Sequence, residues 1–125
     1  MSSNDNDLKM FLQKLNFQQT LKHFCQTYQT QKCIIFGAGD LANVAFDFYD
    51  FSGLNIVAVA DRRYIFENEY YRNFKGIHPE EIMSYAPDVL FLLVLEPKKI
   101  KEVFKEKYPE LLTLKIEDIY KKKNL

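Results

Sequence analysis

The chain has 125 residues, enough for one domain around one hydrophobic core and too few for two of ordinary size. With 47% hydrophobic and 27% charged residues it has the composition of a globular protein, which argues against disordered and fibrous classes. Lys plus Arg and Asp plus Glu balance at 17 each, so no overall field draws the chain to nucleic acid or an anionic membrane surface.

The first residues, Met1-Ser2-Ser3-Asn4-Asp5-Asn6-Asp7, are polar and acidic, unlike a signal peptide. No apolar run approaches the roughly 18 residues of a membrane span, and a cytoplasmic location is expected. From Asp7 to Tyr28, Leu8, Phe11, Leu12 and Leu15, then Leu21, Phe24, Cys25 and Tyr28, recur at helical spacing. Asn16 between the two groups is a candidate N-cap, so the segment reads as one long helix or two short ones. Its apolar stripe packs either on the sheet of the same chain or on a second protomer or partner domain. Residues 1–30 therefore form an N-terminal helical segment, ahead of an α/β unit over 31–125.

That unit opens with Lys32 to Phe36, a nearly continuous apolar run of the kind that forms a central parallel strand covered on both faces. Cys33 faces the core from it as a small hydrophobe. Cys25 and Cys33 match neither a zinc nor a redox spacing and fit a reducing compartment. Gly37-Ala38-Gly39-Asp40-Leu41-Ala42 then turns the chain into a helix from Asp40 to Phe51, which Gly53 terminates. A short β-branched strand, Asn55 to Ala60, ends on Asp61.

Between Asp61 and Pro87 periodicity is lost: Tyr64, Phe66, Tyr70, Tyr71 and Phe74 lie among charges. A connection of this length is more often functional than idle. Within it, Gly76 to Ile82 reads as a turn and short helix with Pro79 at its first position. Asp88 to Leu95 is the most apolar strand of the chain. A helix follows from Pro97 to Lys107 with Ile100, Val103 and Phe104 inward. Leu111 to Leu114 reads as a last strand, Ile116 to Tyr120 as a helical turn, and Lys121-Lys122-Lys123 as a solvated tail or as compensation of a helix dipole at its C-terminus. Alternating strands and helices predict a parallel sheet of about four strands with the first strand central.

The stretch Lys32–Asp61 carries the parts of a mononucleotide-binding βαβ unit. Gly37 suits the tight turn leaving the strand, Gly39 lets backbone approach a phosphate, and Ala42 allows close helix–strand packing. The helix-start amides, from about Gly39 to Leu41, offer an anion site. Asp61 follows Gly37 by 24 residues, near the spacing of the acid that accepts ribose hydroxyls. Asp40 caps the helix or repels a closely held diphosphate, and Arg62 and Arg63 compensate by reaching a phosphate or stacking on a base. The expected ligand-binding set is thus Gly37, Ala38, Gly39, Asp40, Leu41, Asp61, Arg62 and Arg63. Asp61 favours NAD over NADP among adenine dinucleotides.

No catalytic constellation accompanies this set. A nucleophile elbow and a metal-ligand cluster are both missing from the sequence. His78 reads as a loop histidine satisfied by backbone, and Glu80-Glu81 as first-turn helix acids.

Four segments together, Cys33-Ile-Ile-Phe-Gly-Ala-Gly-Asp40, Ile56-Val-Ala-Val-Ala-Asp61, Phe74-Lys-Gly-Ile-His-Pro-Glu-Glu81 and Asp88-Val-Leu-Phe-Leu-Leu93, resemble the small Rossmann-like domains attached to bacterial sugar-modifying enzymes. These include the N-terminal domains of left-handed β-helix sugar O- and N-acyltransferases, the domains preceding membrane-linked sugar dehydratases, and those ending some sugar C-methyltransferases. The resemblance spans about residues 32 to 115. It implies a small Rossmann-like three-layer fold and a UDP-sugar ligand, with Gly37 to Asp40 near a diphosphate and Asp61 near a ribose or sugar hydroxyl. It further implies an accessory module in surface-polysaccharide synthesis, working with a sugar-modifying partner enzyme; a homodimer through the N-terminal stripe is the alternative partner. The alternatives are a small NAD-binding oxidoreductase or sensor, and an oligomerisation domain with a vestigial nucleotide site.

Overall fold

A computed structural model describes residues 3–120 of the chain, with the side chain of Ser3 outside the description. The Lys121–Lys123 tail lies outside the described residues. Two helices come first, α1 (Ser3–Lys14) and α2 (Phe17–Thr27). They are separated at Asn16, whose backbone is left-handed (φ 56°, ψ 48°), a conformation Asn tolerates better than most residues. Asn16 ends one helix and starts the next through its backbone. It is the N-cap of α2, as expected, although its side chain makes no capping hydrogen bond.

The strands are β1 (Lys32–Phe36), β2 (Asn55–Ala60), β3 (Glu69–Tyr71), β4 (Phe74–Ile77), β5 (Val89–Leu92) and β6 (Lys115–Asp118). They form one sheet in the order β3-β4-β2-β1-β5-β6. All neighbours run parallel except β3, which pairs antiparallel with β4. Helix α3 (Asp40–Phe48) connects β1 to β2, and α4 (Pro97–Lys107) follows β5. Starting from central β1, the chain builds outward through β2 to β4. It then returns to the other side of β1 for β5 and β6. The direction of building therefore reverses between β1 and β5, and the register aligns Phe36, Ala60, Leu92 and Asp118 at one end of the sheet.

Alternation along β1 divides the core. Cys33 and Ile35 join an apolar cluster with Leu8, Leu12, Phe17, Phe24 and α3, whereas Ile34 and Phe36 join another with Ile82, Phe104 and Leu111. Strands buried on both faces are continuous apolar runs for this reason. The α2 stripe is buried against its own sheet, with the Phe24 and Phe91 ring centroids 4.8 Å apart. Of the two packings open to that stripe, the intrachain one is found. Cys33 is fully buried, as expected, and burial pushes its thiol up to about 11.

Three expectations are corrected. The sheet has six strands, not about four, because the aromatic segment after Asp61 holds the short hairpin β3–β4. That hairpin turns at Arg72-Asn73 with Arg72 at φ 57°. Arg72 is held there from α3, donating to the Asn43 carbonyl at 3.1 Å and pairing with Asp47 at 2.9 Å. Next, Leu111–Leu114 is not a strand. Pro109–Thr113 forms a 3-10 turn, and the last strand is the polar Lys115–Asp118, where a helical turn was expected. Finally, the helix expected to reach Phe51 ends at Phe48 with Tyr49 extended. Gly53 is instead packed on Cys25: a Cβ there would sit 2.9 Å from the Cys25 sulfur.

Candidate functional site

At the end of β1 the chain must turn sharply, because Leu93, continuing from β5, donates its N–H to the Phe36 carbonyl at 2.9 Å. Gly37 makes that turn at φ 124°, with its own N–H bonded to the Ala60 carbonyl at 2.9 Å. A Cβ at Gly37 would lie 2.5 Å from the Leu93 carbonyl oxygen, so both backbone angle and space demand glycine. Gly39 differs. It is the α3 N-cap with φ −92° and ψ −159°, an extended conformation open to any residue. The nearest heavy atom to a Cβ there is Arg63 Nη2, 3.9 Å away. Nothing in the fold requires glycine at this position.

Beside this turn lies a crevice of about 400 Å³ at the carboxyl end of β1. Gly37, Gly39, Asp40, Leu41, Asp61 and Arg62 contribute to its wall. It opens where the sheet reverses its direction of building, the place where ligands bind in open parallel sheets. Ala38 is buried beneath the turn, and Arg63 reaches over its rim toward Gly39. The eight expected ligand-binding residues thus converge on one place.

Their roles differ from expectation in one case. Asp40 does not cap α3: the N-cap is Gly39, which has no side chain with which to cap. Asp40 is the first helical residue, and its carboxylate is 3.4 Å from the Asn4 side-chain amide of α1. The amides of the first turn lack intrahelical partners by geometry and remain available to an anion.

Asp61 is bound to the turn itself. Its Oδ2 accepts the Ala38 N–H at 2.9 Å, while Oδ1 accepts the Arg63 N–H at 3.0 Å and lies 3.5 Å from Arg63 Nε. One carboxylate therefore ties the end of β2 to the glycine turn and draws the Arg63 side chain toward it.

Other lining residues were not anticipated. Val94, Leu95 and Ile100 come from the segment leaving β5 and from α4, and Asn4 and Leu8 come from α1. The first group follows from β5 lying beside β1, a pairing the apolar pattern alone does not reveal. Nothing in the sequence signals the second, since α1 reaches the crevice only through its packing on α3.

His78 belongs elsewhere. Its Nδ1 accepts the Glu80 N–H at 3.3 Å while the Glu81 carboxylate accepts the His78 N–H at 3.0 Å, a capping box on the 3-10 turn Pro79–Tyr85. Glu80 also lies 3.3 Å from Nδ1. The bond to the backbone amide is that expected of a loop histidine. Among the described residues no group of three or more His, Cys, Asp or Glu is placed to hold a metal ion, and no helix is long and apolar enough to cross a membrane.

Compared with protein-family models, curated proteins and solved structures, the chain matches none.

Proposed function

We propose that this chain is a nucleotide- or nucleotide-sugar-binding module of Rossmann-like three-layer type, non-catalytic by itself. The observation that carries the reading is Gly39. Gly37 is accounted for by the fold, but Gly39 has an ordinary backbone conformation and open space where a Cβ would stand. A glycine that the fold needs only as an N-cap, where Ser, Asp or Asn serve as well, beside the first-turn amides of a helix in a crevice of about 400 Å³, is explained by a ligand that approaches the backbone closely. Arg62 and Arg63 bring positive charge to the same place, which suits a phosphorylated ligand better than a neutral one.

In this reading the module lies in the cytoplasm and presents a UDP-sugar to a sugar-modifying partner enzyme in surface-polysaccharide synthesis, consistent with its resemblance to accessory domains of such enzymes. The test is calorimetric titration of the chain with UDP, a UDP-sugar and NAD, repeated on Gly39→Val. A branched side chain in the open space should abolish binding and leave the unfolding curve close to that of the parent. No heat from any of the three at millimolar concentration removes the proposal. Undiminished binding by Gly39→Val removes Gly39 as its basis.

A further inference from the structure

We infer that the crevice reads the phosphates of its ligand and not the ribose hydroxyls, with Asp61 acting as a positioning residue for Arg63; this rests on the nucleotide reading of the site. An acid at the end of the second strand is expected to grip the two ribose hydroxyls with its two oxygens. Here both oxygens are already engaged. Oδ1 takes the Arg63 N–H and faces Arg63 Nε, and Oδ2 takes the Ala38 N–H. Of the roughly four acceptor positions of a carboxylate, two are filled by backbone N–H groups and a third faces Arg63 Nε, so a two-oxygen grip on a diol has to displace that guanidinium.

The same contacts define where the positive charge stands. Arg63 is fixed at its backbone and at Nε by one carboxylate, and this leaves its terminal Nη2 as the atom nearest the vacant side of Gly39. An anion resting on Gly39 meets the first-turn amides of α3 on one side and this guanidinium on the other. Arg presents planar, paired donors that match phosphate oxygens, and holding its Nε lowers the entropy lost on binding. Asp40, whose carboxylate also lines the crevice, is offset by Arg62 in the same wall.

The experiment titrates the full chain with UDP, 2′-deoxy-UDP and uridine, and with ADP, 2′-deoxy-ADP and adenosine. Whichever base is preferred, the deoxy diphosphate is expected to bind within about twofold of the ribose form, and the nucleoside at least about tenfold more weakly. Arg63→Gln should weaken the diphosphate by about tenfold and leave the nucleoside unchanged. Asp61→Asn should do the same, and the double variant should be no weaker than either single one, because Asp61 acts through Arg63. Additive losses, or tighter binding by Asp61→Asn, overturn the positioning role. A loss of about tenfold or more on removing the 2′-hydroxyl overturns recognition by phosphate. If none of the six compounds binds, the nucleotide reading itself fails and this inference goes with it.

Discussion

Alanine at Gly37 and alanine at Gly39 should have opposite consequences, though the two glycines are one residue apart in one turn. At Gly37 the φ of 124° lies where L residues are strained, a cost of about 1–3 kcal/mol. The added Cβ stands 2.5 Å from the Leu93 carbonyl oxygen and 3.1 Å from Val94 Cγ1, and relieving such overpacking costs about 1–3 kcal/mol more. The smaller entropy of the unfolded alanine chain returns about 0.4–1 kcal/mol. The balance is a loss of about 3 kcal/mol, or about 12 °C in melting temperature for a chain of this size. At Gly39 the extended backbone suits alanine and the nearest atom is 3.9 Å away. There, poorer N-capping by alanine, about 0.5–1 kcal/mol, is offset by the same unfolded-state gain, so the expected change is near zero. Urea unfolding followed by circular dichroism measures both. If the midpoints of the two variants correspond to stabilities within about 1 kcal/mol of each other, the assignment of Gly37 to the fold and of Gly39 to the ligand is wrong.

Two further outcomes follow from the core. The Tyr28 hydroxyl donates to the buried Glu117 carboxylate, joining the end of α2 to β6. Tyr28→Phe keeps the ring contacts with Phe24 and Phe91 but removes that donor, and should cost about 1.5–3 kcal/mol by urea unfolding; a change below about 0.5 kcal/mol would show the bond to be unimportant. Cys33 holds its proton in the folded chain up to about pH 11, against an ordinary 9.0. Its contribution is therefore complete below pH 9 and is lost between pH 9 and 11, where unfolding releases a proton, at up to about 1.4 kcal/mol per pH unit. The parent should lose more stability than Cys33→Ala between pH 8.5 and 10.5 (~two pH units), and equal losses would remove Cys33 as the cause.

The strands at the centre of the sheet were legible because burial on both faces leaves no room for polar residues. Cys33 to Phe36, Ile56 to Ala60 and Val89 to Leu92 are all apolar runs, and the helix read from Pro97 to Lys107 has those bounds in the structure. The edges were not legible, for the complementary reason. β6, Lys115-Ile116-Glu117-Asp118, pairs on one side only and has three charged residues in four. Edge strands carry such charges as protection against further pairing, so their sequence resembles a loop. Leu111-Leu112 looked like a strand, yet Leu111 is buried in a 3-10 turn and Leu112 is exposed. The β3–β4 hairpin is only three and four residues long. Its turn is set by Arg72, held from α3, a long-range contact that leaves no local signature.

The site was legible as a place and not as a set of roles. The pattern of Gly37, Gly39 and Asp61 gives the location because each residue follows from a strand ending at the same level of the sheet. It does not give the roles, because Gly37 and Asp61 both serve the fold: one turns the chain, and the other satisfies the buried Ala38 amide that the turn exposes. An acid at that spacing is needed to close the turn whether or not a ribose is ever bound. Its presence consequently carries little information about the ligand. Gly39 carries more, since its one task in the fold, the N-cap of α3, is served equally well by Ser, Asp or Asn. Among residues of a binding motif, those that the fold does not need are the ones whose identity reports on what the crevice holds.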